Sequence, residues 1–406
     1  MTRVVVTGMG CVSAIGQGVD QAWDNVLNGR GGAARQTFPV DGEGVSTEAV
    51  VAAVTNDPLP ALMAQFGRKP ILAVDRFANL AAVATLEALG DAGVEPGQAV
   101  LERAAIVYGA CSGGLVSIEA AYARMFLTGG GQPHPLTVPR LMSSAPASHL
   151  SILFGVRGLC LTVATACASS AHAIAEGMHL IRSGRADMVI VGGADASLTY
   201  GAMRSWGALQ ATSPSACRPF SKGRDGTILG EGGATLILES EVSASRRGAR
   251  AHCYLAGAGA SSDAAHMTQP NAKSAAAAVR AAHEDAGLPL DTGVLISAHG
   301  TGTALNDVTE SWVLQDVYGA HLSQNRVIAT KSAHGHMLGA TGAMELILAV
   351  KALAHGLAPP ILNYLELDPD CELPLVLAPE AITYRAAISA SFGFGGLNSV
   401  LAVTLP

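Results

Sequence analysis

The sequence has few charged and few aromatic side chains. Charged residues make up 14% and aromatic residues 4% of its 406 residues, whereas 49% are apolar. Soluble domains usually have about 25% charged residues, so this chain must bury much of its surface, and we expect an obligate oligomer. With 25 basic against 32 acidic residues and a net charge of −7, it lacks the basic stripe that binds nucleic acid.

The sequence also lacks cysteine pairs, a membrane span and a secretory signal. Its seven cysteines form no Cys-x-x-Cys pair, which is typical of free thiols in a reducing, cytoplasmic location. The longest charge-free run, residues 386–406, contains Gly393, Gly395 and Gly396, which predicts a strand, a glycine turn and a strand rather than a membrane helix. The N-terminus has no long apolar core and no cleavage site, so we expect no signal peptide.

Buried strands and helices alternate along the chain. Arg3–Thr7 is a β-branched run that predicts a strand, followed by a turn at Gly8–Gly10. Further strands are predicted at Ala104–Tyr108, Thr162–Ala166, Met188–Gly193, His252–Gly259 and Val294–Ser297, and helices at Asp20–Leu27, Pro70–Gly90 and Cys167–Ser183. This alternation indicates an α/β fold with a parallel or mixed sheet.

Two segments of the chain resemble each other. Residues 165–184 and 330–356 each begin with a polar turn and continue as a helix of small residues. Two similar halves explain this, but so do two unrelated alanine-rich helices, and the pattern alone does not decide. The Arg-rich stretch Ser243–Arg250 marks the boundary between an N-terminal half, 1–245, and a C-terminal half, 246–406.

Three candidate sites have weak support in the sequence. Gly8-x-Gly10 has Ser13 in place of the third glycine of a dinucleotide turn and no acidic residue at the required distance. His334-x-His336 has no carboxylate or third ligand at metal spacing, so we expect no metal. Cys111 lies in a Gly-x-Cys-x-Gly pattern that resembles a hydrolase nucleophile elbow; a buried cysteine in a glycine turn explains it better.

Cys167 is the stronger candidate nucleophile. It follows a predicted strand and begins a helix, where unpaired N–H groups favour a thiolate and can stabilise an oxyanion. His299 follows another strand, and Lys331, His336 and Glu345 surround one turn and helix. One cysteine with two histidines and no obvious aspartate suits acyl transfer, in which the imidazoles donate hydrogen bonds to an enolate.

At these residues the sequence resembles the elongating type I/II β-ketoacyl-[acyl-carrier-protein] synthases, a branch of the thiolase superfamily. The matching stretches run in order along the whole chain: VVVTGMGCVSAIG, TVATACASSAHAI, CRPFSKGRDGTILGEGGATLILE, SAHGTGT, TKSAHGHMLGATGAMELI and SFGFGG. The resemblance implies a duplicated thiolase-like fold, a five-layered α/β/α/β/α sandwich. It implies no cofactor, because the substrates are carried on the 4'-phosphopantetheine of acyl carrier protein. It also implies a homodimer, or a heterodimer with a related ketosynthase or chain-length-factor subunit.

The resemblance also assigns roles to single residues. Cys167 takes the acyl chain as a thioester, and its N–H and that of Phe394 form the oxyanion hole. His299 and His336 stabilise the enolate that decarboxylation releases, and Lys331 pairs with Glu345. The remaining assignments are phosphopantetheine binding by Thr301 and Thr303, gating by Phe394, an acyl pocket at Ser112, and carrier-protein docking at Arg68, Lys69 and Arg204. The reaction implied is a decarboxylative Claisen condensation that gives 3-oxoacyl-acyl-carrier-protein.

The sequence departs from the family pattern at several positions. Ala304, Asn306, Ala390 and Leu397 replace usual residues of two motifs, and Leu72 and Ala73 thin the basic docking cluster. These departures leave fatty acid, polyketide and polyene synthesis all open. Two other functions also stay open: a thiolase, which needs a second cysteine that the turn 392–398 lacks, and a non-catalytic chain-length-factor subunit, which would lack Cys167.

Overall fold

A computed structural model describes residues 2–40, 44–127 and 131–406. The strands are β1 (Val4–Ser13), β2 (Gly16–Gln17), β3 (Ala34–Pro39), β4 (Ser46–Ala52), β5 (Ala105–Gly109), β6 (Cys160–Val163), β7 (Met188–Asp195), β8 (Leu229–Gly230), β9 (Gly232–Ser240), β10 (Cys253–Ser262), β11 (Leu295–Ser297), β12 (Arg326–Ile328), β13 (Leu357–Ala358), β14 (Glu380–Ala381), β15 (Ala386–Gly393) and β16 (Leu397–Thr404).

The helices alternate with these strands. They are α1 (Val19–Leu27), α2 (Leu59–Phe66), α3 (Arg68–Leu72), α4 (Arg76–Asp91), α5 (Ala99–Glu102), α6 (Leu115–Phe126), α7 (Thr137–Leu141), α8 (Ala145–Phe154), α9 (Ser169–Arg182), α10 (Tyr200–Ala208), α11 (Glu241–Arg246), α12 (Ala272–Ala286), α13 (Ala304–Tyr318), α14 (Lys331–His334) and α15 (Thr341–His355). Short 3₁₀ turns are formed by Ala166–Ala168, Gly319–Gln324, Leu338–Ala340 and Pro369–Cys371.

The main sheet consists of two halves with the same strand pattern. Its order is β12-β11-β15-β16-β10-β1-β9-β7-β5-β6, with β2 attached to β1. From each edge inward, two parallel pairings are followed by two antiparallel ones. The halves meet where β1 pairs with β10 in antiparallel register, Val4 opposite Leu255. The repeated order supports a duplicated fold rather than two unrelated alanine-rich helices.

Helices pack outside and between the two halves of this sheet, which gives five layers. Helix α4 packs on the outer face of β1 and β9, and α12 packs on the outer face of β10 and β16. Helices α9 and α15 contact each other and strands of both halves, so they form the central layer. The α/β/α/β/α arrangement expected from the resemblance is therefore confirmed. The boundary between residues 245 and 246 stays a prediction.

The glycines Gly8 and Gly10 do not form the expected turn. Strand β1 continues through them to Ser13. A Cβ atom at Gly8 would lie 2.1 Å from the Ala88 carbonyl oxygen, and one at Gly10 the same distance from that of Ala84. Glycine is therefore needed for the close approach of α4 to the strand, which a local pattern does not distinguish from a turn.

Other expected elements are confirmed with shifted ends. The helix expected at Pro70–Gly90 is divided into α3 and α4 because the Asp75 side chain caps α4 by accepting the Phe77 N–H. The C-terminal strand, glycine turn and strand are confirmed as β15 and β16. Leu338–His355 is long and apolar enough to cross a membrane, but 83% of it is buried inside the protein, as befits a central core helix.

Candidate active site

Cys167 lies in a strained turn at the start of α9. Strand β6 ends at Val163, and the 3₁₀ turn Ala166–Ala168 precedes the helix. Ala166 has a φ of 49°, in the left-handed region that non-glycine residues rarely adopt. The hydroxyl of Ser169 accepts the Thr165 N–H at 2.9 Å, which ties the turn to the helix. The Cys167 side chain is thereby fixed at the helix N-terminus, 6% exposed.

His336 contacts the sulfur of Cys167 from the other half of the fold. Its Nε2 lies 3.0 Å from the Cys167 Sγ. Its backbone is fixed on β8, because the His336 N–H donates to the Ile228 carbonyl at 2.6 Å and the Gly230 N–H donates to the His336 carbonyl at 2.9 Å. Its Nδ1 is 3.0 Å from the Thr341 hydroxyl. Both ring nitrogens of His336 therefore have a partner: the Thr341 hydroxyl at Nδ1 and the Cys167 sulfur at Nε2.

His299, Lys331 and Glu345 form a buried chain beside this pair. The Lys331 Nζ donates to the Glu345 Oε1 at 2.8 Å, to the His299 Nδ1 at 3.2 Å and to the His299 carbonyl oxygen. The side chains of Lys331 and Glu345 are 0% exposed. An ammonium group has three donors, and each has an acceptor here. Because Lys331 donates to Nδ1, the proton of the neutral His299 imidazole lies on Nε2.

Two buried acids that sequence reasoning missed hold the turn of His299. Glu310 accepts the N–H groups of His299 and Gly300, both at 2.7 Å, and burial raises its pKa to about 7. Asp307 accepts the N–H groups of Phe220 at 2.7 Å and Gly302 at 3.2 Å. Both acids lie on α13, three residues apart and therefore on one face. Two acids at helical spacing directly after a Gly-x-Gly turn were the available signal.

Burial controls the electrostatics of the site. It raises the pKa of the Cys167 thiol to about 11; the Lys331 charge and the N–H groups of Phe394 and Cys167 lower it less than burial raises it. Burial and Lys331 also hold the pKa values of His299 and His336 well below the usual range. The resting site thus contains a thiol and two neutral imidazoles, which differs from the thiolate that the helix N-terminus alone predicts.

A cavity connects these groups to the surface. Cys167, His299 and His336 lie on its floor, and Thr301 and Thr303, whose hydroxyls are 2.9 Å apart, lie on its wall. The opposite wall is the glycine turn with Phe394, which is 39% exposed and whose ring is 5.9 Å from that of Trp206. Apolar side chains such as Leu209, Met267 and Leu305 also line the cavity.

Comparison with known proteins identifies the family. The family model described as "Beta-ketoacyl synthase, N-terminal domain" matches residues 1–244. A second model, described as "Beta-ketoacyl synthase, C-terminal domain", matches residues 252–365. The chain belongs to the β-ketoacyl synthase family.

Named relatives and solved structures agree with this assignment. The chain is 38% identical over 403 residues to Nodulation protein E of Rhizobium leguminosarum bv. trifolii, covering 98% of each protein. It is 34% identical over 410 residues to 3-oxoacyl-[acyl-carrier-protein] synthase 2 of Staphylococcus aureus strain COL, covering 98% of this chain and 97% of that protein. The solved structure of the ishigamide ketosynthase/chain length factor superimposes with a TM-score of 0.92 at 34% identity, covering 100% and 99% of the two chains.

A metal ion is the other chemistry that this β-ketoacyl synthase site suggests. Ligand atoms of Cys167, His299 and His336 lie within 4.8 Å of one another. Sequence reasoning considered only the His334–His336 spacing and missed this grouping. The ammonium of Lys331 is already bonded to the His299 Nδ1, and its positive charge disfavours a second cation at the same imidazole.

Other residues singled out in the sequence lie outside this cluster. Ser112 is half-buried, and its N–H donates to Asp195; it is not among the described residues that line the cavity. Cys111 is next to it; burial raises its pKa far above the usual range, and in the part of the chain that the structure describes its sulfur has no histidine partner of the kind that His336 provides for Cys167. Arg68 and Lys69, on α3, and Arg204, on α10, are exposed.

Four further histidines have no role assigned by the resemblance. His334 is buried, 3.0 Å from the Thr330 hydroxyl, and its Nδ1 is 2.7 Å from the Gly335 carbonyl oxygen. His172 is 3.0 Å from the hydroxyl of Thr165 in the turn before Cys167. His149 is buried in α8, and His179 is exposed on α9.

Proposed function

We propose that this β-ketoacyl synthase joins an acyl group on Cys167 to a malonyl group on acyl carrier protein, giving 3-oxoacyl-acyl-carrier-protein and CO₂. The arrangement that supports this most directly is the Cys167 sulfur, 3.0 Å from the neutral His336, with a second neutral imidazole at His299. A nucleophile and two hydrogen-bond donors in one cavity suit a reaction that first needs a thioester and then an enolate.

Acylation of Cys167 is the first step. The sulfur attacks the thioester carbonyl of the incoming acyl group, and the pantetheine thiol leaves with the proton of Cys167. The N–H groups of Cys167 and Phe394 lower the pKa of the sulfur, which suits them to stabilise the oxyanion of the tetrahedral intermediate that forms there. With the Thr341 hydroxyl donating to its Nδ1, His336 holds its proton on Nε2, which faces the sulfur.

Decarboxylation of the malonyl group follows. The bond to the carboxylate breaks, CO₂ leaves, and the electron pair remains as an enolate on the thioester. The Nε2–H of His299 is directed by the Lys331 bond to Nδ1, and His336 donates in the same way when the Thr341 hydroxyl donates to its Nδ1. Two neutral donors stabilise the enolate oxygen without protonating its carbon.

Condensation completes the cycle. The enolate carbon attacks the acyl carbonyl on Cys167, the same two N–H groups stabilise the oxyanion, and Cys167 leaves as a thiolate that takes a proton from water to restore the thiol. This step explains why the sulfur and both imidazoles lie in one cavity. It also argues against the two alternatives: a chain-length-factor subunit needs no such sulfur, and the turn 392–398 has no cysteine for a thiolase.

Recognition of the carrier arm is assigned to the cavity wall. Thr301 and Thr303 present adjacent hydroxyls that suit the amides of 4'-phosphopantetheine. Phe394 lies where it can gate the cavity. The exposed cations Arg68, Lys69 and Arg204 suit docking of an acidic acyl carrier protein.

The partner subunit is assigned to the open edge of the sheet. Within the described ranges, strand β6 pairs only with β5, and Leu159 and Leu161 near this edge are 38% and 47% exposed. An exposed apolar strand edge needs a partner. A second copy of this chain, or a related ketosynthase or chain-length-factor subunit, fits it. All seven cysteines are free thiols, in keeping with a cytoplasmic location.

Intact mass spectrometry tests this function. The purified protein is incubated with acyl-acyl-carrier-protein, and then with malonyl-acyl-carrier-protein. We expect an acyl adduct on Cys167 that disappears on addition of the malonyl substrate, with 3-oxoacyl product formed. Cys167→Ala is the control. If the protein stays unmodified with acyl-acyl-carrier-proteins of every chain length tested, the result would argue for a non-catalytic subunit.

A further inference from the structure

Asp195 is a fully buried acid close to the reacting groups. It ends β7 and is 0% exposed. Its Oδ2 accepts the N–H groups of Cys111 at 3.0 Å and Gly339 at 2.8 Å, and its Oδ1 accepts that of Ser112 at 3.1 Å. Among the residues that the structure describes, no cationic side chain pairs with it. Backbone amides and the Ser112 hydroxyl therefore compensate its charge.

These bonds join the two halves of the fold at the site. Gly339 belongs to the turn between His336 and Thr341, the residue that contacts the His336 Nδ1. A Cβ atom at Gly339 would lie 2.6 Å from the Asp195 Oδ2, so the turn packs directly on the carboxylate. The segment with His336 is thus fixed to the N-terminal half, on which Cys167 lies.

The charge of Asp195 also reaches the sulfur. The titratable groups around the Cys167 thiol are His336, His299, Lys331, Asp195 and Cys111. Lys331 lowers the pKa of Cys167, and Asp195 raises it. Because burial raises the pKa of Asp195 only to about 6, its carboxyl is ionised at neutral pH.

We propose that Asp195 is a positioning residue that holds the segment of His336 against the Cys167 turn. Its negative charge also counteracts the effect of the positive Lys331 on the Cys167 sulfur. The carboxylate adds to the effect of burial, which keeps Cys167 a thiol in the resting enzyme. The role rests on the proposed function of Cys167 and His336, but its electrostatic part is measurable without any acyl substrate.

The test is the pH dependence of Cys167 alkylation by iodoacetamide, followed by peptide mass spectrometry. Asp195→Asn removes the charge, and its amide oxygen in place of Oδ2 still accepts the bonds from Cys111 and Gly339. Removing a nearby negative charge lowers the pKa of a thiol by about one unit, which raises its thiolate fraction at neutral pH. We therefore expect alkylation at neutral pH to become roughly tenfold faster. Asp195→Glu keeps the charge and should alkylate like wild type.

Two further variants separate charge from position. Asp195→Ala is a second neutral variant; it also removes all the acceptors, so condensation should fall further than in Asp195→Asn while alkylation stays fast. Asp75→Asn is the matched control, because Asp75 is also a buried acid that accepts backbone N–H groups, from Phe77 and Ser117. It should leave the alkylation profile unchanged.

The possible results decide the proposal. The proposal is overturned if both neutral variants alkylate with the wild-type pH dependence. It is also overturned if the pH dependence shifts equally in the neutral variants and in Asp195→Glu. If the neutral variants alkylate faster but the wild-type protein does not condense acyl groups, the electrostatic role stands and the proposed function falls.

Discussion

Removing Glu345 should destabilise the protein much more than removing a similar partner at the surface. Lys331 and Glu345 form a 2.8 Å ion pair with both side chains 0% exposed. Glu345→Ala leaves the Lys331 ammonium buried without its carboxylate, and breaking a buried pair in this way costs on the order of 3–5 kcal/mol. The loss should also disturb His299, because the same ammonium directs its Nδ1.

The chain offers a matched control for this prediction. Lys351 and Asp20 form an ion pair of the same 2.8 Å length, but Asp20 is 91% exposed. Exposed pairs contribute about 0–1 kcal/mol, so Asp20→Ala should change the free energy of unfolding by no more than this. Glu345→Gln, which keeps an acceptor for Lys331, should lie between the two.

Urea denaturation followed by tryptophan fluorescence measures all three variants, and decarboxylation of malonyl-acyl-carrier-protein measures the effect on His299. Glu345→Ala should lose both stability and activity. If it unfolds at the same urea concentration as Asp20→Ala and retains wild-type decarboxylation, the buried pair has neither role, and the reasoning about Lys331 fails.

Three further predictions address other parts of the molecule. Burial lowers the pKa of His149 from 6.5 to about 4, so its contribution to stability is present above pH 6.5 and is lost as the pH falls towards 4; the maximum is about 3 kcal/mol. His149→Leu should therefore weaken the fall in melting temperature on acidification, and an unchanged fall would refute this. Ser112 does not line the described cavity, so Ser112→Phe tests whether the predicted acyl pocket extends to it: loss of long acyl groups with transfer of short ones retained would support the pocket, because overpacking costs roughly 1–3 kcal/mol, and an unchanged chain-length profile would exclude it. Thr301→Val combined with Thr303→Val should raise the KM for acyl-acyl-carrier-protein while Cys167 still alkylates at the wild-type rate; an unchanged KM would exclude the threonines from arm binding.

Local sequence pattern predicts the elements of this fold well where burial is uniform. The β-branched run at Val4–Val6 and the charge-free C-terminal segment are both strands of the main sheet. The pattern fails at Gly8 and Gly10, because a glycine that admits a neighbouring helix looks the same as a glycine that makes a turn. It also fails at Asp75, whose capping bond divides a continuous apolar period.

The sequence also predicts some residues of the site and misses others. Reactive residue types in short motifs point to Cys167, His299, Lys331 and His336, and the structure brings all four together. Asp195 was not found, because its partners are backbone amides of distant segments; Asp307 and Glu310 were missed although they follow the turn of His299 at helical spacing. The protonation state of Cys167 also needs the structure, since burial competes with the helix N-terminus and only the degree of burial decides between them.

The central claim is that Cys167 is required for acyl transfer and the two histidines for decarboxylation. The most direct measurement uses radiolabelled acyl and malonyl substrates with Cys167→Gln, whose amide mimics an acylated cysteine. We expect no acyl-enzyme and no condensation, but continued release of CO₂ from malonyl-acyl-carrier-protein; His299→Ala and His336→Ala should each reduce this release by about 10²–10³-fold. Condensation by Cys167→Ala, or full decarboxylation without either histidine, would contradict it.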